Sequence, residues 1–477
     1  MSDTNSNQFR SPPVGLGPML MAMGPAIVVT GSVIGSGELI NVPKQAATFG
    51  FVLFWAVIIS CVIKYFLQVE LGRFCLVHNQ TTIQAFNNCP GPKFRGTSWV
   101  GILYMVGYTA SMVTLTGILG ATAGIFQDLM PLENILPLQQ FVTSSDDPSL
   151  LGEALRIASK NIWAGLTLLV IMLILWRGLY GELEKLVTIL VAGFSLSVVL
   201  ALFLVQTSPY SLSASDIFSG LKFSLGSVNR DAAAFAVVSL LGALGTTANE
   251  LFMYPYWILE KGYAQHLGPR DSDGWVERAR GWLRVLRLDT ASATLLATVI
   301  TAAYYLVASA VLHERVVRNE MKVPEGMDVV KQISAIFTEI YGPWSYWIFM
   351  FGGFCTLFST LVVVTAATGR MWSDLLSSMG WVDWENESAR RRCNRTFQTI
   401  YLTAFLLIEV FVNIPPGQRV IIGQYINGLV NTPLIMFGIC WLAFHTDRRV
   451  RMSRFTAAML FATMAVILTC LGIGLAV

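Results

Sequence analysis

Apolar runs recur along nearly the whole chain and are separated by short polar segments. A helix that spans a bilayer needs about 20 mostly apolar residues. The pattern therefore predicts an all-α membrane protein with about eleven transmembrane helices in one domain, because no polar stretch is long enough for a soluble core. The predicted spans are 18–42, 47–69, 98–127, 161–178, 183–206, 232–258, 288–312, 344–368, 397–414, 420–444 and 455–476.

A short phrase occurs twice, each time in the middle of a predicted span. G-S-G-E-L-I-N-V-P runs over 35–43 and T-A-N-E-L-F-M-Y-P over 247–255, so Glu38 corresponds to Glu250 at an offset of 212 residues. Small residues before the glutamate and a proline after it favour a break in each helix. Paired breaks at equivalent positions of two halves indicate the binding site of a transporter.

The same offset divides the chain into two sets of five spans. Residues 18–206 form the first set, residues 232–444 form the second, and 455–476 is an extra C-terminal helix. Because five is odd, the second set crosses the bilayer in the opposite direction. The sequence thus predicts an inverted repeat with a broken first and a broken sixth helix.

Composition agrees with a membrane protein and indicates its orientation. The chain is 54% hydrophobic and 13% charged, with a mean hydropathy of +0.59, whereas soluble domains carry about 25% charged residues. Lys and Arg favour the segments that a cytoplasmic N-terminus would place inside, which predicts a plasma-membrane protein with its C-terminus outside. The net charge of +3 follows from this bias and does not indicate a nucleic-acid partner.

A helix break at membrane depth frees backbone groups, which are tolerated only where they line a cavity or meet a ligand. A carboxylate among carbonyl oxygens suits a hard cation or a proton. We therefore expect a metal site formed by Glu38, Glu250 and Asn249. The expected substrate-binding set is Glu38, Glu250, Asn249, Gly35, Ser36, Gly37, Thr246, Thr247 and Gln424.

Other polar residues in the spans have competing interpretations. Lys64 could pair with an intramembrane glutamate, but its place near a span end favours snorkelling to the interface, and Glu409 is expected at an interface for the same reason. Asp289 is equally a helix-start residue or part of a proton path. Gln424, Asn427 and Asn431 share a stripe of the tenth span and either line a cavity or hold helices together. Residues 277–287 have the pattern of an amphipathic interfacial helix.

Three segments resemble the Nramp family of proton-coupled divalent-metal transporters. The segment 24–39 resembles the first span of that family, R-L-D-T at 287–290 the start of its seventh, and F-H-T-D-R-R at 444–449 the end of its tenth. The resemblance implies the leucine-transporter-like fold and a divalent cation as the cargo, with no resident cofactor.

Two metal-site motifs of that family are altered here. Its D-P-G-N reads G-S-G-E, so that Gly35, Ser36 and Glu38 replace the aspartate, proline and asparagine. Its M-P-H falls near Asn249, Glu250 and Leu251, which removes the thioether that favours transition metals. The altered motifs imply a cation such as Mg²⁺ or Mn²⁺ at an oxygen-rich site.

A second resemblance keeps another cargo open. V-I-G-S-G at 33–37 is similar to the first span of the amino acid–polyamine–organocation transporters, in which these amides hold a substrate carboxylate. The alternatives are a proton-coupled carrier of amino acids or other small organic solutes and, in a different class, a membrane sensor that transports nothing. We expect no enzyme, because the sequence shows no nucleophile–base pair or nucleotide loop, and no obligatory partner beyond cargo and lipid.

Overall fold

A computed structural model describes residues 11–23, 35–135, 148–177, 180–224, 229–326, 328–383 and 385–475. These residues are almost entirely helical. The first half contains α1 (Leu16–Ala22), a π-helical turn (Gly37–Asn41), α2 (Val42–Phe49), α3 (Phe54–Val62), α4 (Lys64–His78), α5 (Thr82–Phe86), α6 (Trp99–Ser111), α7 (Val113–Leu129), α8 (Pro148–Arg177), α9 (Tyr180–Leu204) and α10 (Ala214–Gly220). A hairpin of β1 (Lys93–Phe94) and antiparallel β2 (Thr97–Ser98) precedes α6.

The second half repeats this pattern of long helices joined by short segments. It contains α11 (Arg230–Ala243), α12 (Ala248–Glu260), α13 (Trp275–Ala308), α14 (Glu314–Val317), α15 (Val329–Ile333), α16 (Ala335–Tyr341), α17 (Ser345–Ser378), α18 (Glu387–Phe411), α19 (Pro416–Ile426), a π-helical turn (Asn427–Asn431), α20 (Thr432–His445) and α21 (Arg454–Leu475).

The described helices include fewer candidate membrane spans than the eleven that the sequence predicts. Among the described residues, eight helical stretches are long and apolar enough to cross a membrane. Residues 24–34 of the predicted first span lie outside the described part, so the first break is seen only from Gly35 onward. The predicted interfacial helix 277–287 is instead the first third of α13, which continues without interruption into the seventh span.

The sixth span is broken as predicted. α11 ends at Ala243, Leu244 is extended, and Gly245 has a φ of +61°, a left-handed conformation that favours glycine. α12 then begins at Ala248. The two breaks lie side by side, since a Cβ atom added at Gly37 would be 2.8 Å from the carbonyl oxygen of Ala243.

Candidate substrate cavity at the two helix breaks

Glu250 caps the second half of the broken sixth helix. The Thr247 amide donates to its Oε2 at 2.7 Å, and the Thr247 hydroxyl accepts from the Glu250 amide at 3.4 Å. This reciprocal pair is a capping box, in which the T-A-N-E sequence satisfies two amides at a helix start. The other carboxylate oxygen of Glu250 is not used by the cap.

Glu38 makes one of these two contacts in the first span, where Gly35 has no side chain to complete a capping box. The Gly35 amide donates to its Oε2 at 3.1 Å, and the Gly35 carbonyl accepts the first helical hydrogen bond from Leu39 at 3.0 Å. The other oxygen of Glu38 accepts from the Thr301 hydroxyl of α13 at 3.1 Å. Both oxygens therefore have donors within the protein, and the side chain is 0% exposed.

A cavity of about 70 Å³ lies between the two breaks. The third, eighth and tenth spans complete its walls. Seven of the nine predicted substrate-binding residues line it: Gly35, Ser36, Gly37, Thr247, Asn249, Glu250 and Gln424. The further lining residues are Met112, Thr114, Leu115, Ile118, Gly242, Ala243, Met253, Thr360, Val364 and Asn427.

Three predicted residues lie elsewhere. Glu38 is behind the cavity wall, held by Gly35 and Thr301. Thr246 points to the second span, where its hydroxyl donates to Gln68 Oε1 at 2.7 Å. Asp289 is buried within α13, well past the start of that helix at Trp275, which corrects the helix-start interpretation.

The polar side chains of the cavity differ in how far they are already engaged. Asn249 accepts through Oδ1 from the Tyr104 hydroxyl at 3.1 Å. Gln424 donates to the Ser36 hydroxyl at 3.3 Å, while its Oε1 is buried and has no hydrogen-bond partner among the described residues. Gln424 thus joins the tenth span to the first and keeps one acceptor available.

Two carbonyl groups at the end of α11 are occupied by a lysine. The Lys64 Nζ atom lies 2.5 Å from the carbonyl oxygens of both Leu241 and Leu244. Its side chain is 0% exposed, so the expected snorkelling of Lys64 is wrong. A third carbonyl, that of Gly242, accepts from the Asn427 side chain at 2.7 Å. Three carbonyl groups at the break therefore accept hydrogen bonds from protein side chains. The sequence predicts such groups as ligands of the cargo.

Thioether side chains were missed as cavity lining. Met112 and Met253 both line the cavity and are nearly completely buried. Met253 is one helical turn after Asn249, at a spacing that could have identified it, because residues three to four apart share a helix face. Met112 comes from the third span, and no local pattern links it to the breaks.

Two polar contacts join α12 to α17 toward the C-terminus of α12. The Tyr256 hydroxyl donates to Asp374 Oδ2 at 2.6 Å. One turn further along α12, Glu260 pairs with Arg370 at 3.0 Å. Tyr256, Glu260 and Arg370 also line a separate open pocket of about 340 Å³.

A second buried charge cluster lies away from the breaks. Glu409 of α18 pairs with Arg419 and also with Lys160 of α8, whose Nζ lies 2.6 Å from Glu409 Oε1. All three side chains are at most 7% exposed. The expected interfacial position of Glu409 is therefore wrong, since its carboxylate is enclosed between two cations.

The described residues contain no group of three or more His, Cys, Asp or Glu side chains arranged to hold a metal. The lining residues that carry side-chain oxygens are Ser36, Thr114, Thr247, Asn249, Glu250, Thr360, Gln424 and Asn427. This set contains one carboxylate, three amides and four hydroxyls, and such oxygens can coordinate a cation whose remaining ligands are water.

The fold is similar to that of known transporters. A histidine-to-alanine mutant of the Eremococcus coleocola manganese transporter superimposes with a TM-score of 0.63 at 14% identity, over 98% of this chain and 89% of that chain. MhsT in complex with L-phenylalanine superimposes with a TM-score of 0.57 at 14% identity, over 98% of this chain and 100% of that chain. At these identities the likeness establishes the leucine-transporter-like fold alone.

A comparison with curated proteins found no match. The family model described as natural resistance-associated macrophage protein-like matches residues 26–477, from the first span to the C-terminal end. Because this match covers most of the sequence, the chain belongs to the Nramp family.

Proposed function

We propose that this protein is a secondary active transporter that carries a divalent metal cation through the cavity between the two helix breaks. Glu250, Asn249 and Gln424 are the proposed ligands. The observation that carries the proposal is the position of Glu250, whose carboxylate lines the cavity and caps α12 through only one of its oxygens. A partly exposed anionic oxygen in a small polar cavity favours a cation as the occupant.

The lining favours Mn²⁺ over Mg²⁺ as the cargo. Mg²⁺ requires near-ideal octahedral oxygen coordination and gives up its water reluctantly. Mn²⁺ shares the preference for oxygen ligands, and as a transition metal it accepts a softer donor more readily than Mg²⁺ does. Met112 and Met253 place thioether groups beside the oxygen ligands. The Eremococcus coleocola relative in fold, named as a manganese transporter, agrees with this preference.

Glu38 has a supporting role in this proposal. Its carboxylate holds the first break together and lies within Coulombic range of Glu250. Protonation of either glutamate would change the negative charge that attracts the cargo, so proton coupling through Glu38 is part of the proposal. Asp289 is the candidate for a further step of the proton path, since it is fully buried in α13, the helix that supplies Thr301.

The organic-solute alternative has less support. The Gly35 amide, which would have to bind a substrate carboxylate, donates to Glu38. The cavity of about 70 Å³ is also small beside pockets for organic ligands, which begin at about 300 Å³. An ion that keeps one or two of its water molecules fits such a volume, because a water molecule takes about 30 Å³ in the liquid.

Calorimetric titration of the purified protein with Mn²⁺, Mg²⁺ and Ca²⁺ tests the proposed site. We expect saturable binding in the order Mn²⁺, then Mg²⁺ or Ca²⁺, and loss of binding in Glu250→Gln. Glutamine preserves the capping box at this position, so the variant removes charge without removing the cap. Binding of none of these ions by the folded wild type would contradict the metal assignment and favour the organic solute.

Transport itself is tested by counterflow in proteoliposomes. Vesicles loaded with unlabelled Mn²⁺ should accumulate labelled Mn²⁺ from outside, whereas a sensor that binds without transporting would show no accumulation. Repeating the uptake with and without an imposed pH gradient tests proton coupling. We place the protein in the plasma membrane with its N-terminus in the cytoplasm, which protease protection of an N-terminal tag in intact cells would check.

A further inference from the structure

The lysine at the sixth-helix break has a more specific role than neutralising nearby glutamates. Lys64 lies on the second span, and its Nζ atom contacts two carbonyl oxygens at the C-terminal end of α11. The last carbonyls of a helix lack intrahelical donors and carry the negative end of the helix dipole. Two such oxygens converging on one point form a binding position for a small cation.

One face of the second span contacts the broken segment of the sixth span at three positions. Cys61, Lys64 and Gln68 are spaced three and four residues apart, which places them on the same side of the helix. Cys61 lies so close to Gly245 that an added Cβ atom would be 2.9 Å from its Cα atom. Gln68 accepts from Thr246 at 2.7 Å. Lys64 is therefore at the centre of the surface that holds the break.

The surroundings of Lys64 offer partners for a positive charge. Glu38 and Glu250 both lie within Coulombic range of Lys64, and the side chain is 0% exposed. Because burial disfavours a charged ammonium group, the charge is retained only where such partners offset the lost hydration. The two carbonyl groups and the two carboxylates together supply those partners, while no carboxylate forms a direct ion pair with Lys64 among the described residues.

We propose that the Lys64 ammonium is a tethered monovalent cation that fills a cation-binding position formed by the carbonyl oxygens of Leu241 and Leu244. A small primary ammonium ion, which brings both the charge and the N–H donors of lysine, binds there when the lysine is shortened. The natural protein consequently needs no dissolved monovalent ion to stabilise its broken helix. This inference does not rest on the identity of the cargo, and it can hold even if the proposed metal transport fails.

Chemical rescue of Lys64→Ala tests the inference. The substitution removes three carbons and the amine, which is the content of n-propylammonium. We expect the variant to lose thermal stability and to regain it saturably as n-propylammonium is added. n-Propanol has the same length without the charge, and tetramethylammonium has the charge without an N–H donor, so neither should reproduce the gain.

Lys44→Ala is the matched control. Lys44 lies in the first turn of α2 and pairs with Glu325 at 3.4 Å, where solvent reaches the pair. n-Propylammonium should not stabilise this variant or the wild type saturably. Equal shifts in all three proteins, or no shift in Lys64→Ala beyond that given by tetramethylammonium, would overturn the inference.

A second variant covers the case in which Lys64→Ala does not fold. Lys64→Met keeps most of the side-chain length and removes only the charged nitrogen. The inference requires its thermal midpoint to fall well below that of the wild type. A Lys64→Met protein as stable as the wild type would show that the carbonyl groups need no cation, and would overturn the inference without any rescue experiment.

Discussion

The two helix breaks have the same local design and different surroundings. In both, a glutamate accepts from the amide three residues earlier, at Gly35 in one case and Thr247 in the other. The second oxygen of Glu38 is held by Thr301 inside the protein, whereas the second oxygen of Glu250 belongs to a side chain that lines the cavity. One repeated phrase has therefore produced a structural carboxylate and a carboxylate available to a ligand.

The difference arises outside the phrase. Thr301 is on α13, far along the chain from Glu38, and its hydroxyl donates to the Glu38 oxygen that Gly35 does not use. Glu250 instead lines the cavity together with Gln424 and residues of the third and eighth spans. Local sequence sets the cap, and the packing of distant helices decides whether the glutamate lines the cavity.

Replacing each glutamate by glutamine is the strongest test of the difference between the two carboxylates. Glu250→Gln should weaken Mn²⁺ binding by about a hundredfold, or about 2.7 kcal/mol, because it removes the anionic oxygen from the cavity. Glu38→Gln should change the dissociation constant far less, and mainly alter stability or the pH dependence of uptake. Calorimetry on both variants decides, and equal losses of affinity would mean that Glu38 also reaches the metal.

Adding a methyl group where the helices touch tests how tightly the second break is packed. A Cβ atom at Gly242 would overlap the backbone of Gln424 and of Gly428 in the tenth span. We expect Gly242→Ala to cost about 1–3 kcal/mol through overpacking and to reduce uptake. Thermal unfolding followed by size-exclusion chromatography measures the loss.

Gly193→Ala is the control for that substitution. A Cβ atom at Gly193 meets nothing within 4 Å, so this change should leave the thermal midpoint unchanged or raise it slightly. If both alanine variants were equally stable, the close approach of the sixth and tenth spans would not be required for folding.

Removing one hydrogen bond at each glutamate tests separately what supports each carboxylate. Thr301→Val leaves a buried oxygen of Glu38 without its donor, which should cost about 1–2 kcal/mol. Thr247→Val removes a helix cap, with an expected cost of about 1 kcal/mol. Thr301→Val should preserve Mn²⁺ affinity, while Thr247→Val should lower it, because the cap positions Glu250. The opposite pattern of affinities in a calorimetric titration would reverse the assigned roles.

The smallest effect is expected at a carboxylate outside the spans. Hydrogen bonds from the Arg449 side chain and backbone lower the pKa of Asp447 to about 2, below its ordinary value of 3.8. The resulting stabilisation is present above the ordinary pKa and is lost as pH falls through about 2. Because the arginine is exposed, the gain over Asp447→Asn should stay below about 1 kcal/mol. Thermal midpoints of both proteins between pH 7 and pH 3 should converge toward the acidic end.

Sequence patterns predicted the helices and the polar lining of the cavity well. Apolar runs indicate membrane-spanning helices because few structures other than helices can cross a bilayer. The breaks and Gln424 could be placed because glycine, proline and intramembrane polar residues are conspicuous there. The T-A-N-E sequence also has the pattern of a capping box, but from the sequence we interpret Thr247, Asn249 and Glu250 only as ligands.

The pairing of the buried charges could not be predicted in the same way. Lys64 is near a span end in sequence, but the break in α11 brings two carbonyl groups to it from the other repeat. Glu409 likewise depends on Lys160 and Arg419, which come from two other helices. Tertiary packing determines which groups pair with Lys64 and Glu409, and the periodicity within a single span does not predict these partners.

The length of α13 has a mechanical consequence. Its 34 residues extend about 51 Å at 1.5 Å per residue, well beyond the hydrocarbon thickness of about 30 Å. The helix carries Thr301 beside the first break and the exposed Arg280 in its second turn. These two positions are about 32 Å apart along the helix at 1.5 Å per residue. A tilt of α13 at the first break would therefore displace Arg280 much farther than Thr301, and a spin label at Arg280 would report such a tilt without altering the cavity lining.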